Sequence, residues 1–215
     1  MVKKQTVRSF CFVGIIGVLV AGAGCAEVKR LRQENQQLHE NVSSLQMENA
    51  GLSSTVDQYQ RELSRLENAK RELEAKLQDT GATVRVKNGA VSILLPGAVL
   101  FDPGQTILRP KSKATLKKIA GIIKTEAPQE IIRIEGHTDN DPIKKQKDKY
   151  KSNWELSTAR AAAVLHYLVD ECGISPAKVY IAGFGQYQPL ADNSSKAGKA
   201  KNRRVEFVIV PKGDG

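Results

Sequence analysis

The sequence predicts an α/β chain in two parts: a long coiled-coil helix, then a sandwich domain with helices on one face of a mixed sheet. Three observations predict it. A heptad repeat runs unbroken from Val28 to Leu77. Behind it, segments with strand alternation and segments with helical periodicity follow in the order β-α-β-α-β-β over about 130 residues. The pair Asn88-Gly89, preferred in tight type I′ turns, joins two apolar-rich stretches, "TVRVK" and "AVSILL".

The heptad fixes the first part. Leu31, Leu38, Leu45, Leu52, Tyr59, Leu66 and Leu73 recur every seven residues, at d. Val28, Asn35, Val42, Asn49, Val56, Leu63, Lys70 and Leu77 hold the a positions. Valine at a with leucine at d favours two parallel strands, and asparagine at a fixes register at some cost in stability. A parallel homodimer through residues 28–77 is the expectation, with a trimer as the alternative. A coiled coil over 26–80 would extend roughly 80 Å at about 1.5 Å per residue. A single long helix packed on its own domain is the competing reading. Gly81 ends the segment.

The second part is predicted over residues 82–215. After the hairpin comes a loop, "FDPGQTILRP". The segment "SKATLKKIAGIIK" puts Leu116, Ile119, Ala120 and Ile123 on one helical face. "EIIRIEG" reads as a strand, 153–171 as a second helix with Gly173 just past its end, and "KVYIAGFG" as another strand. "NRRVEFVIV" is the last strand, with Val205, Phe207 and Ile209 pointing inward.

The N-terminus carries an export pattern. Lys3, Lys4 and Arg8 precede an apolar run from Phe10 to Ala23 that ends in "AGAGC". That run is shorter than the roughly 20 residues a membrane span needs, and a basic head, short apolar stretch and small residues mark a secretory signal over 1–24. "LVAGAGC" resembles a bacterial lipobox with Cys25 as the lipid acceptor, although Gly22 stands where leucine is usual. An ordinary signal, or an uncleaved anchor from Phe10 to Cys25, is the alternative. With Cys25 lipidated and Cys11 removed, Cys172 remains as one thiol, so no disulfide is expected; Cys172 reads as a packed small residue.

Charge divides the chain. Residues 26–81 carry eight Lys+Arg against ten Asp+Glu, a net of −2. Residues 82–215 carry 22 against 13, a net of +9. A basic domain suits an anionic partner. An export signal argues against nucleic acid and for wall polymer or a lipid surface.

One residue asks for a partner. In "SNWELSTARAAAV", Ser152 and Glu155 have the spacing of a capping box. Winding the helix puts Leu156, Ala163, Val164 and Tyr167 on one apolar face, with Arg160 in its middle. A buried, unpaired guanidinium is costly. Arg160 therefore either pairs with a carboxylate or waits for a ligand.

The blocks "FDPGQTILRP", "IEGHTDN", "NWELSTARAAAV", "GFGQYQPLADN" and "KNRRVEFVIV" stand in the order and spacing of OmpA-like peptidoglycan-binding domains. The resemblance covers about residues 90–210. It implies non-catalytic binding of peptidoglycan, with the diaminopimelate of the stem peptide clamped between an aspartate and an arginine, here Asp139 and Arg160. It further implies Phe101, Asp102, Thr138, Leu156, Asn202 and Arg203 as pocket neighbours. The diaminopimelate end carries an ammonium and a carboxylate; a carboxylate beside a guanidinium can read both. The structural alternative is a plain Asp139–Arg160 ion pair.

The segment "NDPIKKQKDKYKSNWE" is longer than in outer-membrane members and is similar to the C-terminal domain of the flagellar stator protein MotB. Its lysines read as a solvated loop, or else as an extra contact to anionic polymer. Three functions compete. The first is an outer-membrane lipoprotein, facing the periplasm of a Gram-negative envelope, that tethers the membrane to the wall. The second is a MotB-like stator or motor-associated protein. A stator needs a carboxylate in its membrane helix, and Phe10–Cys25 has no Asp or Glu. The third, a wall-cleaving enzyme, lacks a nucleophile–base arrangement; Glu135 with Asp139 is the one acid pair to consider. His137 is the only histidine in its motif, and His39 and His166 have no ligand spacing to it, so neither metal nor cofactor is expected. Trp154 reads first as a packing anchor and second as a sugar platform.

Overall fold

The computed structural model describes residues 5–87, 89–144 and 146–210, with side chains from Gly24 onward except that of Lys87. The side chains of the predicted signal and the turn residue Asn88 lie outside the described residues.

Helix α1 runs from Gln5 to Lys76. Over 24–60 every described residue is exposed. The heptad residues Val28, Leu31, Leu38, Val42, Leu45, Leu52 and Val56 are 47–57% exposed, so a continuous apolar stripe is left uncovered among the described residues. The last turns of α1 differ. Leu73 and Leu77 are buried in the core of the domain, with Leu66 and Ala69 packed against it. Gly81, at φ 71°, closes the turn that follows.

The described strands form one sheet in the order β1 (Thr83–Lys87), β2 (Ala90–Pro96), β5 (Arg204–Val210), β3 (Ile131–His137), β4 (Val179–Gly185). β3 and β4 run parallel and the other neighbours antiparallel, giving the mixed sheet the sequence predicts. The hairpin adds one strand ahead of β-α-β-α-β-β. Its register pairs Lys87 with Ala90, which leaves a two-residue turn, and Gly89 takes φ 72° there. Short helices α2 (Gly97–Leu100) and α5 (Lys196–Asn202) flank the main helices α3 (Pro110–Glu126) and α4 (Asn153–His166).

The sheet has two unlike faces. Ile93, Phe207 and Ile134 lie side by side across β2, β5 and β3 and are fully buried under α3 and α4. Leu116, Ile119, Ala120 and Ile123 of α3 are all buried, as their spacing predicts. Val205 and Phe207 are buried, and Ile209 packs at the core's edge. The residues between them in register, Leu94, Glu206 and Glu135, face the other way. There Arg133 Nε donates to Glu135 Oε1 at 2.6 Å, and Arg204 Nε to Glu206 Oε1 at 2.5 Å. Buried His137 sits between the two carboxylates, its Nε2 3.3 Å from Glu135 Oε2. Burial raises the Glu135 pKa, but His137 and Arg133 together hold it below the ordinary carboxylate value. Glu135, His137 and Glu206 bring one nitrogen or oxygen each within 4.8 Å of one another. Each carboxylate already holds an arginine, so the group reads as a charge-balanced network rather than a metal centre.

Two glycines bring α4 close to the sheet. A Cβ at Gly136 would stand 2.0 Å from the Ser157 carbonyl oxygen, and one at Gly183 would stand 2.0 Å from Thr158 Oγ1. Hydrogen alone fits there. Helix α4 is capped by Ser152, whose Oγ accepts from Glu155 N, while the Glu155 side chain takes the amide of Lys151, one residue before the position a capping box uses. A π-helical turn over Tyr167–Glu171 continues it, and Gly173 ends it at φ 65°. Cys172 packs at the edge of the core, where burial pushes its thiol pKa up.

Candidate functional site

The close seat of α4 decides where Arg160 lies. Ser157, pressed on Gly136, is one turn before it, and the long Arg160 side chain reaches the cavity that Asp139 and Phe101 also line. Thr138 N donates to Gly185 O, which sets the direction of the segment carrying Asp139. Phe101, Asp102, Thr138, Asp139, Leu156, Arg160 and Arg203 all line a cavity of about 540 Å³. Seven of the eight residues singled out from the sequence thus come together.

The charges are not paired as a simple ion pair would have them. Asp139, 6% exposed, accepts from Arg203 Nη1 through Oδ2 and from the Asp141 amide through Oδ1 at 3.3 Å. Arg160 is 7% exposed. Among the described residues its one hydrogen bond runs from Nε to the Gln105 carbonyl at 3.1 Å, and no carboxylate lies within 4.0 Å of it. Its guanidinium stacks over the Phe101 ring, 5.4 Å from the centroid. Burial pulls the Arg160 pKa below its ordinary value, Asp139 opposes that, and Arg203 adds to it; an arginine nonetheless stays charged. The fold has buried a cation and left most of its donors facing a cavity. Thr138 Oγ1, also in the wall, is buried with no hydrogen-bond partner among the described residues.

Asn202 is the exception among the expected neighbours. It does not line the cavity. Its Oδ1 accepts from the Leu190 and Ala191 amides, and its Nδ2 donates to Ala191 O and Asn193 Oδ1, at 2.7–2.9 Å. All its hydrogen-bonding capacity holds the loop beside Arg203 in place. Asn202→Ala is therefore expected to cost about 2 kcal/mol of stability, read as a lowered midpoint in chemical denaturation. An unchanged midpoint would mean the loop needs no such tie.

Sequence reasoning missed the long loop's part in the cavity. Pro142, Ile143 and Lys144 form one wall, Tyr150 is buried with its hydroxyl 2.9 Å from Thr106 Oγ1, and Gln146 Nε2 donates to Gln105 Oε1. Lys199 Nζ reaches Asp141 Oδ1 at 2.6 Å and holds that carboxyl below its ordinary pKa. The apolar "PI" and the single tyrosine among lysines are the signal that this loop is partly packed. Trp154 is another departure from expectation. It is 46% exposed, its ring stacked on Tyr187 and not buried as an anchor.

A mixed five-stranded sheet with this cavity beyond the β3 end defines a domain of the OmpA family, and the chain belongs to that family: the OmpA family model matches residues 100–203. Among its relatives, Motility protein B of Bacillus subtilis is 35% identical over 69% of this chain and 57% of that protein. YtxE of the same organism, an uncharacterised protein, is 31% identical over 86% of this chain and 74% of its own length. The chain thus spans under two thirds of Motility protein B. Two solved structures share the fold. A MotB-like protein from Desulfovibrio vulgaris superposes with a TM-score of 0.63 at 28% identity, covering 72% of this chain and 96% of that one. The cell wall anchor of the T6SS from Pseudomonas aeruginosa gives 0.58 at 29%, covering 64% and 96%.

Proposed function

We propose that the domain binds peptidoglycan without cleaving it, through the diaminopimelate side chain of the stem peptide. The observation that carries this is Arg160: a buried guanidinium, largely unbonded, aimed into a cavity that also holds Asp139. The ligand's carboxylate would take the free face of Arg160, and its ammonium would meet Asp139 from the side opposite Arg203. Membership of the OmpA family, and likeness to a structure described as a cell wall anchor, support the reading. In the same proposal residues 1–24 are a signal, Cys25 carries lipid in the outer membrane, and the parallel homodimer expected over 28–77 is confined to the exposed heptads 28–63, because Leu66, Leu73 and Leu77 are taken up by the domain. The uncovered heptad stripe of α1 supports the dimer, since apolar residues repeated in this way gain most by facing a second copy. The similarity to Motility protein B favours a second reading, a motor-associated protein held to the wall by the same site.

The test is co-sedimentation of residues 26–215 with diaminopimelate-type sacculi, beside Asp139→Asn and Arg160→Ala with folding checked by circular dichroism. Each contact is a charge-assisted hydrogen bond, so each variant is expected to weaken binding by about 10- to 100-fold. Wild-type pelleting that resists salt, lost in both folded variants, supports the clamp. Pelleting kept by the variants and abolished by salt would mean that the +9 surface does the binding.

A further inference from the structure

The stacked pair Trp154–Tyr187 has no role in the cavity chemistry. The ring centroids are 5.0 Å apart with planes 21° from parallel. The residues are 46% and 61% exposed. Two large aromatic side chains left together in water, one on a helix and one on a turn, form an apolar patch that asks for cover. They are fixed in place. Trp154 stands in the first turn of α4, and Tyr187 N donates to Phe184 O at 3.2 Å. Asn153, which lines the cavity, donates from Nδ2 to Gln186 Oε1 at 3.0 Å and to the carbonyls of Asp141 and Asp139. One side chain thus ties the aromatic pair to the cavity wall. The patch adjoins the site.

We propose that Trp154 and Tyr187 are a second subsite, which stacks a hexosamine ring of the glycan strand that carries the stem peptide. The inference rests on the peptidoglycan reading. A pyranose ring presents a face of C–H groups with hydroxyls at its edge. Aromatic faces carry negative charge density that attracts polarised hydrogens, and such rings give large contact area at little entropic cost. Continuity with the cavity names the occupant: a peptide seated at Asp139 and Arg160 is covalently joined to a sugar, and Asn153 links the two surfaces. Joining the subsites on one ligand raises affinity beyond either contact.

The experiment uses residues 26–215 and three ligands: a soluble diaminopimelate stem peptide, glycan strands stripped of peptide by an amidase, and intact muropeptide, each titrated by calorimetry. Trp154→Ala and Tyr187→Ala are expected to weaken glycan binding about tenfold and to leave the stem-peptide Kd within about twofold. Trp154→Phe keeps a ring and is expected to recover most of the glycan affinity; circular dichroism checks each fold. Wild-type protein that binds stem peptide but not glycan overturns this inference and spares the clamp. Protein that binds glycan but not stem peptide does the reverse. Variants that keep glycan affinity while changing the sedimentation coefficient would overturn the inference by making the pair a contact between copies.

Discussion

Replacing Gly136 by alanine lowers the stability of the domain by about 3 kcal/mol, the upper end of what an added methyl costs in a packed interior. The new carbon would stand 2.0 Å from the Ser157 oxygen and 2.7 Å from its carbonyl carbon. Both are backbone atoms, so no rotamer change relieves the contact; β3 and α4 must part. For a domain of this size the thermal midpoint falls roughly 6–12 °C, read by circular dichroism. The same separation carries Arg160 outward, so binding weakens in whatever protein remains folded. A midpoint within about 2 °C of wild type would show that the helix can shift without penalty.

Leu77→Ala is the second large effect. The side chain is 1% exposed, and large-to-small changes in a core cost 2–5 kcal/mol; about 3 is expected here. Leu38→Ala, at a half-exposed position, should leave the domain's own transition where it is. The comparison separates two uses of one repeat, because Leu77 packs on the domain and Leu38 awaits a partner. It also predicts how the chain can be cut. A fragment beginning at residue 61 keeps Leu66, Ala69, Leu73 and Leu77 and should melt like the domain in the whole chain. One beginning at residue 82 loses them all and should melt lower. Equal midpoints for the two fragments would show that these side chains contribute little.

How far the sequence spoke depends on the range of the interaction. The faces of α3 and α4, the hairpin at Gly89 and the alternation in β5 follow from periodicity, and each stands in the structure. Leu77 was ambiguous for a physical reason: an apolar residue at a looks the same whether it meets another helix or its own sheet. The meeting of Asp139 with Arg160 in one cavity was legible only through family resemblance. That Asp139 would bind Arg203 was not legible, since it depends on how the ends of β3 and β5 align across 64 residues. Asn202 was misplaced because a polar residue beside a site residue looks like a ligand contact, and nothing local reveals a loop that uses up its amide. Trp154 was misread because helical position gives no measure of what a neighbouring turn leaves uncovered.

The stacking of Arg160 on Phe101 has a consequence for binding kinetics. An arginine free in water gives up about 2 kcal/mol of rotamer freedom when immobilised. Here folding has already taken that freedom, with the ring beneath the guanidinium and the Gln105 carbonyl at Nε. An arriving carboxylate therefore meets a preorganised fork, and most of the contact energy goes into holding it. Under the proposed assignment the gain appears as a longer residence time, not faster capture. Phe101→Leu would leave every charge in place and still quicken release.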